Sequence, residues 1–150
     1  MMIKLLKLII LILIFPCVYA VDGHIARGQR YFFQYCSGCH SLSYAPISLA
    51  GQIPSPWQQA LQKGVWVTNL SEQDAQTWFG RVPPDLSLIG VQHSKSWIMD
   101  YLNGFYSDTK HPLGRNNRVL SNVLMPDVLL GAPEPRMALV RDITAFLMDV

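Results

Sequence analysis

The residues with the most chemistry in this sequence are Cys36, Cys39 and His40, in the run Cys36-Ser37-Gly38-Cys39-His40. Two thiols at this spacing stand one helical turn apart, and the histidine directly after them reaches whatever they hold. Three chemistries use a C-x-x-C pair. A structural zinc site needs four protein ligands, and a second Cys/His pair at matching spacing is missing from the sequence. A dithiol redox pair of the thioredoxin kind needs a strand–helix–strand setting, which the residue pattern does not provide. Covalent attachment of haem uses all three side chains, because the thiols add to the two vinyl groups of one haem edge and the histidine reaches the iron. The motif therefore predicts a single haem c, held by Cys36 and Cys39 and ligated by His40.

What precedes the motif agrees with that chemistry. Residues 1–20 read as an export signal, with Lys4 and Lys7, an apolar run from Leu8 to Phe15, and a small-residue end at Val18-Tyr19-Ala20. The run is shorter than the roughly 20 apolar residues of a membrane span, and Pro16 breaks it. Pro16 also replaces the small residue that a lipid-attachment site would carry before Cys17. Cleavage after Ala20 is expected, which leaves residues 21–150 as one c-type domain on the exported side, where haem attachment takes place. Farther on, Val119 to Leu130 is too short to span a bilayer and is interrupted by Pro126. Without Lys4 and Lys7 the basic and acidic side chains balance, so the formal +2 of the 150-residue chain falls to zero and nucleic acid is excluded as a partner. A composition 50% hydrophobic and 15% charged also excludes a disordered tail.

The elements that must position these residues are helical. From Ile25 to Cys36, Ile25, Phe32, Phe33 and Tyr35 recur in a helical rhythm against Arg27, Gln29, Arg30 and Gln34, so a first helix runs into the motif. Ser41 to Pro56 holds Pro46, Gly51, Pro54 and Pro56 and reads as loop. Ser71 has the chemistry of an N-cap, and Gly80 is placed to stop that helix after Phe79. Pro83-Pro84 forces extended backbone, after which Ser94 or Ser96 caps a helix with Trp97, Ile98, Tyr101, Leu102 and Phe105 on its apolar face. Thr109 to Pro135 is irregular, and Arg136 to Met148 forms a last helix with Val140, Ile143, Phe146 and Leu147 on one face and Arg141 and Asp142 elsewhere. The expected fold class is all-α with long loops, and such loops wrap something or carry function.

A c-type iron has a sixth ligand or a vacancy, and that choice separates electron transfer from small-molecule binding. His24, His93, His111 and the methionines are the candidates. Met99, Met137 and Met148 fall on or near helices, where methionine fills cores. Met125 stands apart, in a loop that Pro126 holds rigid.

Several runs resemble a known family. Gly28 and Phe32 ahead of Cys36, with Ile143 and Phe146 in the last helix, resemble the crossing of first and last helices in class I cytochromes c. Trp78-Phe79-Gly80-Arg81-Val82-Pro83-Pro84-Asp85-Leu86-Ser87, Tyr101 to Tyr106, Asn116-Asn117 and Met125 to Leu129 resemble bacterial cytochrome c1, the haem subunit of the cytochrome bc1 complex. The resemblance runs in order from about Arg27 to Met148. It implies a cytochrome c-like haem domain with His40 as proximal and Met125 as distal ligand. Pro84 and its neighbours would line the haem edge, with a backbone carbonyl there accepting the His40 Nδ1 proton. It further implies electron transfer from a Rieske iron-sulfur protein to a soluble cytochrome c, on the periplasmic side of the bacterial inner membrane. Cytochrome b and the Rieske protein would be the partners, and membrane association would run through them. No bond-making catalysis is asked of this chain, and Asp85, Asp100 and Asp127 read as single solvated or capping carboxylates.

The sequence departs from the family twice. Where an Arg-x-Arg pair is usual, it reads Val91-Gln92-His93, which leaves His93 or Arg81 to meet a haem propionate. The family's membrane-spanning helix would begin where this sequence stops, at Val150. Beside a c1 head, three other readings stand: a free periplasmic monohaem carrier, a five-coordinate haem that binds peroxide or a gas, and a decayed remnant of a longer c1.

Overall fold

Helix α1, Gly23–Tyr35, forms because its buried residues Gly28, Gln29, Phe32 and Phe33 recur on one face of a helical turn. The computed structural model describes residues 23–44 and 65–150. The expected leader at 1–20, Cys17, and the loop prolines Pro46, Pro54 and Pro56 with Gly51 lie outside the described residues. In chain order the described elements continue with α2 (Glu72–Phe79), α3 (Ile89–Gln92), α4 (Lys95–Asn103), β1 (Phe105–Ser107), β2 (Arg115–Asn117) and α5 (Arg136–Leu147). They are mostly helical with little strand, compatible with an all-α cytochrome c-like fold.

The caps follow local side-chain chemistry. Ser71 Oγ accepts from Asp74 N at 3.0 Å, and Gly80 closes α2 in the left-handed region at φ 73°. Ser94, rather than Ser96, caps α4 by accepting from Trp97 N at 3.2 Å.

α1 and α5 cross at Gly28, where a Cβ would stand 1.9 Å from the carbonyl oxygen of Asp142. Beside that contact the rings of Phe32 and Phe146 meet with centroids 5.5 Å apart. Phe32, Leu139, Val140 and Ile143 are sealed from solvent around it.

Gln29, expected opposite the apolar residues of α1, is instead buried on the same face at 1% exposure. Two further expectations need correction. Phe105 does not extend α4 but opens a hairpin, pairing antiparallel with Asn117. Three-residue strands are too short to show alternation, and the Asn117 amide side chain bonds both to the end of α4 and within its own turn. Asn117 Nδ2 donates to Tyr101 O at 2.8 Å, and Asn117 Oδ1 accepts from Val119 N at 2.8 Å.

The second correction concerns Asp142, which faces α1 and is 1% exposed instead of lying off the buried face. Arg27 Nε donates to its Oδ2 at 2.7 Å, Arg141 Nε donates to Oδ1 at 3.0 Å, and His24 Nδ1 shares Oδ1. Burial alone would raise its pKa, but the bonds from Arg27, His24 and Arg141 outweigh burial and hold it at about 2, below the ordinary 3.8. A carboxyl whose pKa drops on folding stabilises the fold above its unfolded pKa and loses that contribution as pH falls through the folded one. Roughly 2 kcal/mol is expected to vanish between about pH 4 and pH 2. Acid titration followed by circular dichroism checks this, since Asp142→Asn should start less stable and show a flatter dependence in that window.

Candidate functional site

The C-terminal end of α1 tightens into the motif. Cys36 N and Ser37 N donate to Phe32 O at 2.8 and 2.9 Å, and Cys39 N and His40 N donate to Cys36 O at 3.1 and 3.0 Å. Cys36, Cys39 and His40 thus leave one compact turn. The outward carbonyls of that turn are tied down from the far side of the chain: Trp66 Nε1 donates to Ser37 O at 3.1 Å and Thr68 Oγ1 to Gly38 O at 2.8 Å. Nothing in the sequence reading singled out Trp66 or Thr68, because partners about 30 residues away have no local signature.

Both thiols are free, Cys36 buried and Cys39 half-buried. Burial, helped by the neighbouring Cys39, pushes the Cys36 thiol up to about 12, and burial raises Cys39 as well. His40 is buried, which lowers its pKa despite the opposing pull of the Pro84 carbonyl and the Asp85 charge. Its Nδ1 lies 2.8 Å from Pro84 O, which accepts a hydrogen bond from the Nδ1–H of the neutral ring and leaves the Nε2 lone pair free to ligate.

Pro84 is held in place by a lattice between residues 41–44 and 84–87. Leu86 N donates to Ser41 O at 2.9 Å. Asp85 accepts from Ser43 N at 2.9 Å and Ser87 N at 2.8 Å, and Ser87 Oγ accepts from Tyr44 N at 3.0 Å. Burial would raise the Asp85 pKa, but these bonds to Ser87 and Ser43 outweigh it and lower it, so the lattice is built on a carboxylate. Asp85 is therefore a capping carboxylate, as read from the sequence.

Asp127 is a correction. Its side chain is 1% exposed and ion-paired with Arg115 and Arg136 rather than solvated.

Met125 is half-buried against the core cluster that contains Cys36, and Leu86 and Tyr101 pack against the same cluster. Tyr101 Oη donates to Met125 Sδ at 3.5 Å. Burial pushes the Tyr101 hydroxyl up to about 12 against the opposing Arg81 charge, so it stays a neutral donor. Tyr101 continues a run of rings at helical spacing: His93 stacks on Trp97 at 3.7 Å, Trp97 lies parallel to Tyr101 at 5.3 Å, and Tyr101 meets Phe105 edge-on at 5.7 Å. The Trp97–Tyr101 spacing was visible in the sequence, but the stacking of His93 and the Tyr101–Met125 contact were not.

The other candidates are occupied or displaced. His24 sits on Asp142, and His111 Nδ1 accepts from Leu113 N at 3.3 Å. Met99 packs against the core as expected, whereas Met137 and Met148 are exposed and fill none of it. Arg81 is exposed on the Tyr101 side. The structure thus joins Cys36, Cys39, His40 and Pro84 in one constellation and sets Met125 and Arg81 about Tyr101.

Two free thiols on one turn, a neutral imidazole with one nitrogen committed, and a thioether make a donor set that fits haem c. Among the described residues, no group of three or more His, Cys, Asp and Glu could hold a bare metal ion.

No family model matches the chain. It is similar to the cytochrome c1 of Allochromatium vinosum, 37% identical over 118 residues that make up 72% of this chain and 48% of that protein. It is also similar to the ammonia monooxygenase gamma subunit of Nitrosomonas europaea, 32% identical over 123 residues, 76% of this chain and 53% of that one. The chain spans about half the length of these curated relatives. Taken with the motif turn, these likenesses establish that the chain is related to the c-type cytochromes.

Proposed function

We propose that the chain is an exported electron-transfer protein with one covalently attached haem c, acting as a cytochrome c1-type head. It takes single electrons from a Rieske iron-sulfur protein and passes them to a soluble cytochrome c. The observation that carries this reading is the His40 Nδ1–Pro84 O hydrogen bond of 2.8 Å behind a C-x-x-C-H turn, the contact that orients ligating histidines. The bound group supplies one-electron redox chemistry. Cys36 and Cys39 anchor it, His40 and Met125 ligate it, Pro84 lines its edge, and Arg81 or His93 meets a propionate. Tyr101, by donating to the Met125 sulfur, withdraws electron density from that ligand. On this reading residues 1–20 are the signal peptide, the head works on the periplasmic face of the inner membrane, and cytochrome b and the Rieske protein hold it there. Among the described residues, no helix is long and apolar enough to cross a membrane.

A second reading is a free periplasmic monohaem carrier, left open because the chain's likeness is not confined to cytochrome c1. Fractionation separates the two: a c1 head co-purifies with cytochrome b and the Rieske protein, and a free carrier leaves with the osmotic-shock fluid. For the ligand set, Met125→Leu should abolish the weak near-infrared charge-transfer band of the ferric protein. It should also lower the reduction potential by on the order of 100 mV, within the range of about 0.8 V that axial ligands set. An unchanged band and potential in that variant would move the sixth ligand elsewhere.

A further inference from the structure

Asp127 stands two residues after Met125 and is buried, although an isolated carboxylate is expensive to take out of water. Two guanidinium groups from distant elements offset that cost. Arg136, the first residue of α5, donates from Nη2 to Oδ1 at 2.8 Å and from Nη1 to Oδ2 at 3.2 Å, a two-pronged contact. Arg115 of β2 brings its Nε to 3.0 Å from Oδ2. Arg136 also donates from Nε to Leu102 O of α4 at 3.1 Å and lies over the Phe105 ring at 5.8 Å. One carboxylate therefore ties the loop bearing Met125 to α4, the hairpin and α5 at once.

The loop itself is tight. Val128 N donates to Pro126 O at 2.9 Å and Leu130 N to Asp127 O at 3.1 Å, and the Pro126 ring fixes its own φ. Loops lie at the low end of local stability, and a thioether is a weak ligand that an opened loop would surrender. From this geometry we infer that Asp127 is a positioning residue for Met125: the Arg115–Asp127–Arg136 clamp holds the thioether at the haem iron against displacement by small exogenous ligands. The inference rests on the reading of Met125 as the sixth ligand.

Imidazole titration of the ferric holoprotein tests it, because imidazole binds only when the Met125–iron bond opens. Asp127→Asn should raise imidazole affinity at least tenfold and leave it within twofold in a Met125→Leu background, where no thioether remains to be positioned. Arg115→Gln, which keeps the Arg136 contact, should act in the same direction by threefold or more and serves if Asp127→Asn does not fold. An equal rise in both backgrounds, or no rise with Met125 present, overturns the clamp while leaving the ligand assignment intact. If Met125→Leu alone leaves both the near-infrared band and the imidazole affinity at wild-type values, the ligand reading itself has failed.

Discussion

A chain carrying both Cys36→Ala and Cys39→Ala, exported in a host with haem-attachment machinery, is expected to emerge with the mass of the bare polypeptide. The wild-type protein should keep its haem through acid–acetone extraction. The reason is covalent: the only thiols among the described residues are these two, and extraction breaks iron ligation but not thioethers. The turn that presents them is built without reference to the sulfur atoms. The carbonyls of Ser37 and Gly38 are held by Trp66 and Thr68, and the helix bonds to Phe32 O run through the backbone. Removing the thiols should therefore leave the turn standing and delete attachment alone. Each single variant should retain one thioether, resist extraction, and melt below wild type. Intact-mass spectrometry before and after extraction reads all three. Haem that survives extraction in the double variant would overturn the anchoring role.

What could be read in advance is what chemistry places within a few residues. The Ser71 cap, the Gly80 stop and the apolar residues of α1 and α5 are local, and they stood in the sequence as they stand in the fold, whereas the α4 cap was open between Ser94 and Ser96 and the buried Gln29 and Asp142 read as polar-side residues. The attachment turn was legible for the same reason. Long-range pairing was not. Asp142 and Asp127 look like surface carboxylates until Arg27, or Arg115 and Arg136, are brought to them, because a buried charge shows itself only through its partners. The acceptor for His40 came from the resemblance rather than from periodicity, since a backbone carbonyl carries no residue-type signal. The hairpin failed for a different reason, being set by Asn side-chain bonding over strands too short to alternate. Met137 and Met148 failed because helical spacing gives a rhythm without saying which end-of-helix positions face out.

Gly28→Ala is expected to lower the melting temperature of the holoprotein by more than about 10 °C, and Gly28→Val to prevent folding. In an isolated helix the alanine would be the better residue by about 1 kcal/mol. Here its Cβ would stand 1.9 Å from Asp142 O, 2.6 Å from Asp142 C and 2.8 Å from Phe146 Cβ. Two of those three atoms are backbone of α5, which cannot turn aside as a side-chain tip would, so the whole helix must back away. That displacement would part Phe32 from Phe146 and pull Asp142 from Arg27, leaving a buried carboxylate short of a partner. Overpacking of this kind typically costs 1–3 kcal/mol, and the loosened ion cluster adds to it, so about 3 kcal/mol or more is expected. A domain of this size has roughly 5–15 kcal/mol in total and shifts by about 4 °C per kcal/mol. Gly38→Ala is the matched control, because no atom lies within 4 Å of the Cβ it would add and its φ is not positive. It should melt within about 2 °C of wild type. Thermal unfolding of the two variants, followed by circular dichroism, separates the helix crossing from any general effect of replacing glycine. Equal melting temperatures would mean that α1 and α5 are not locked at Gly28.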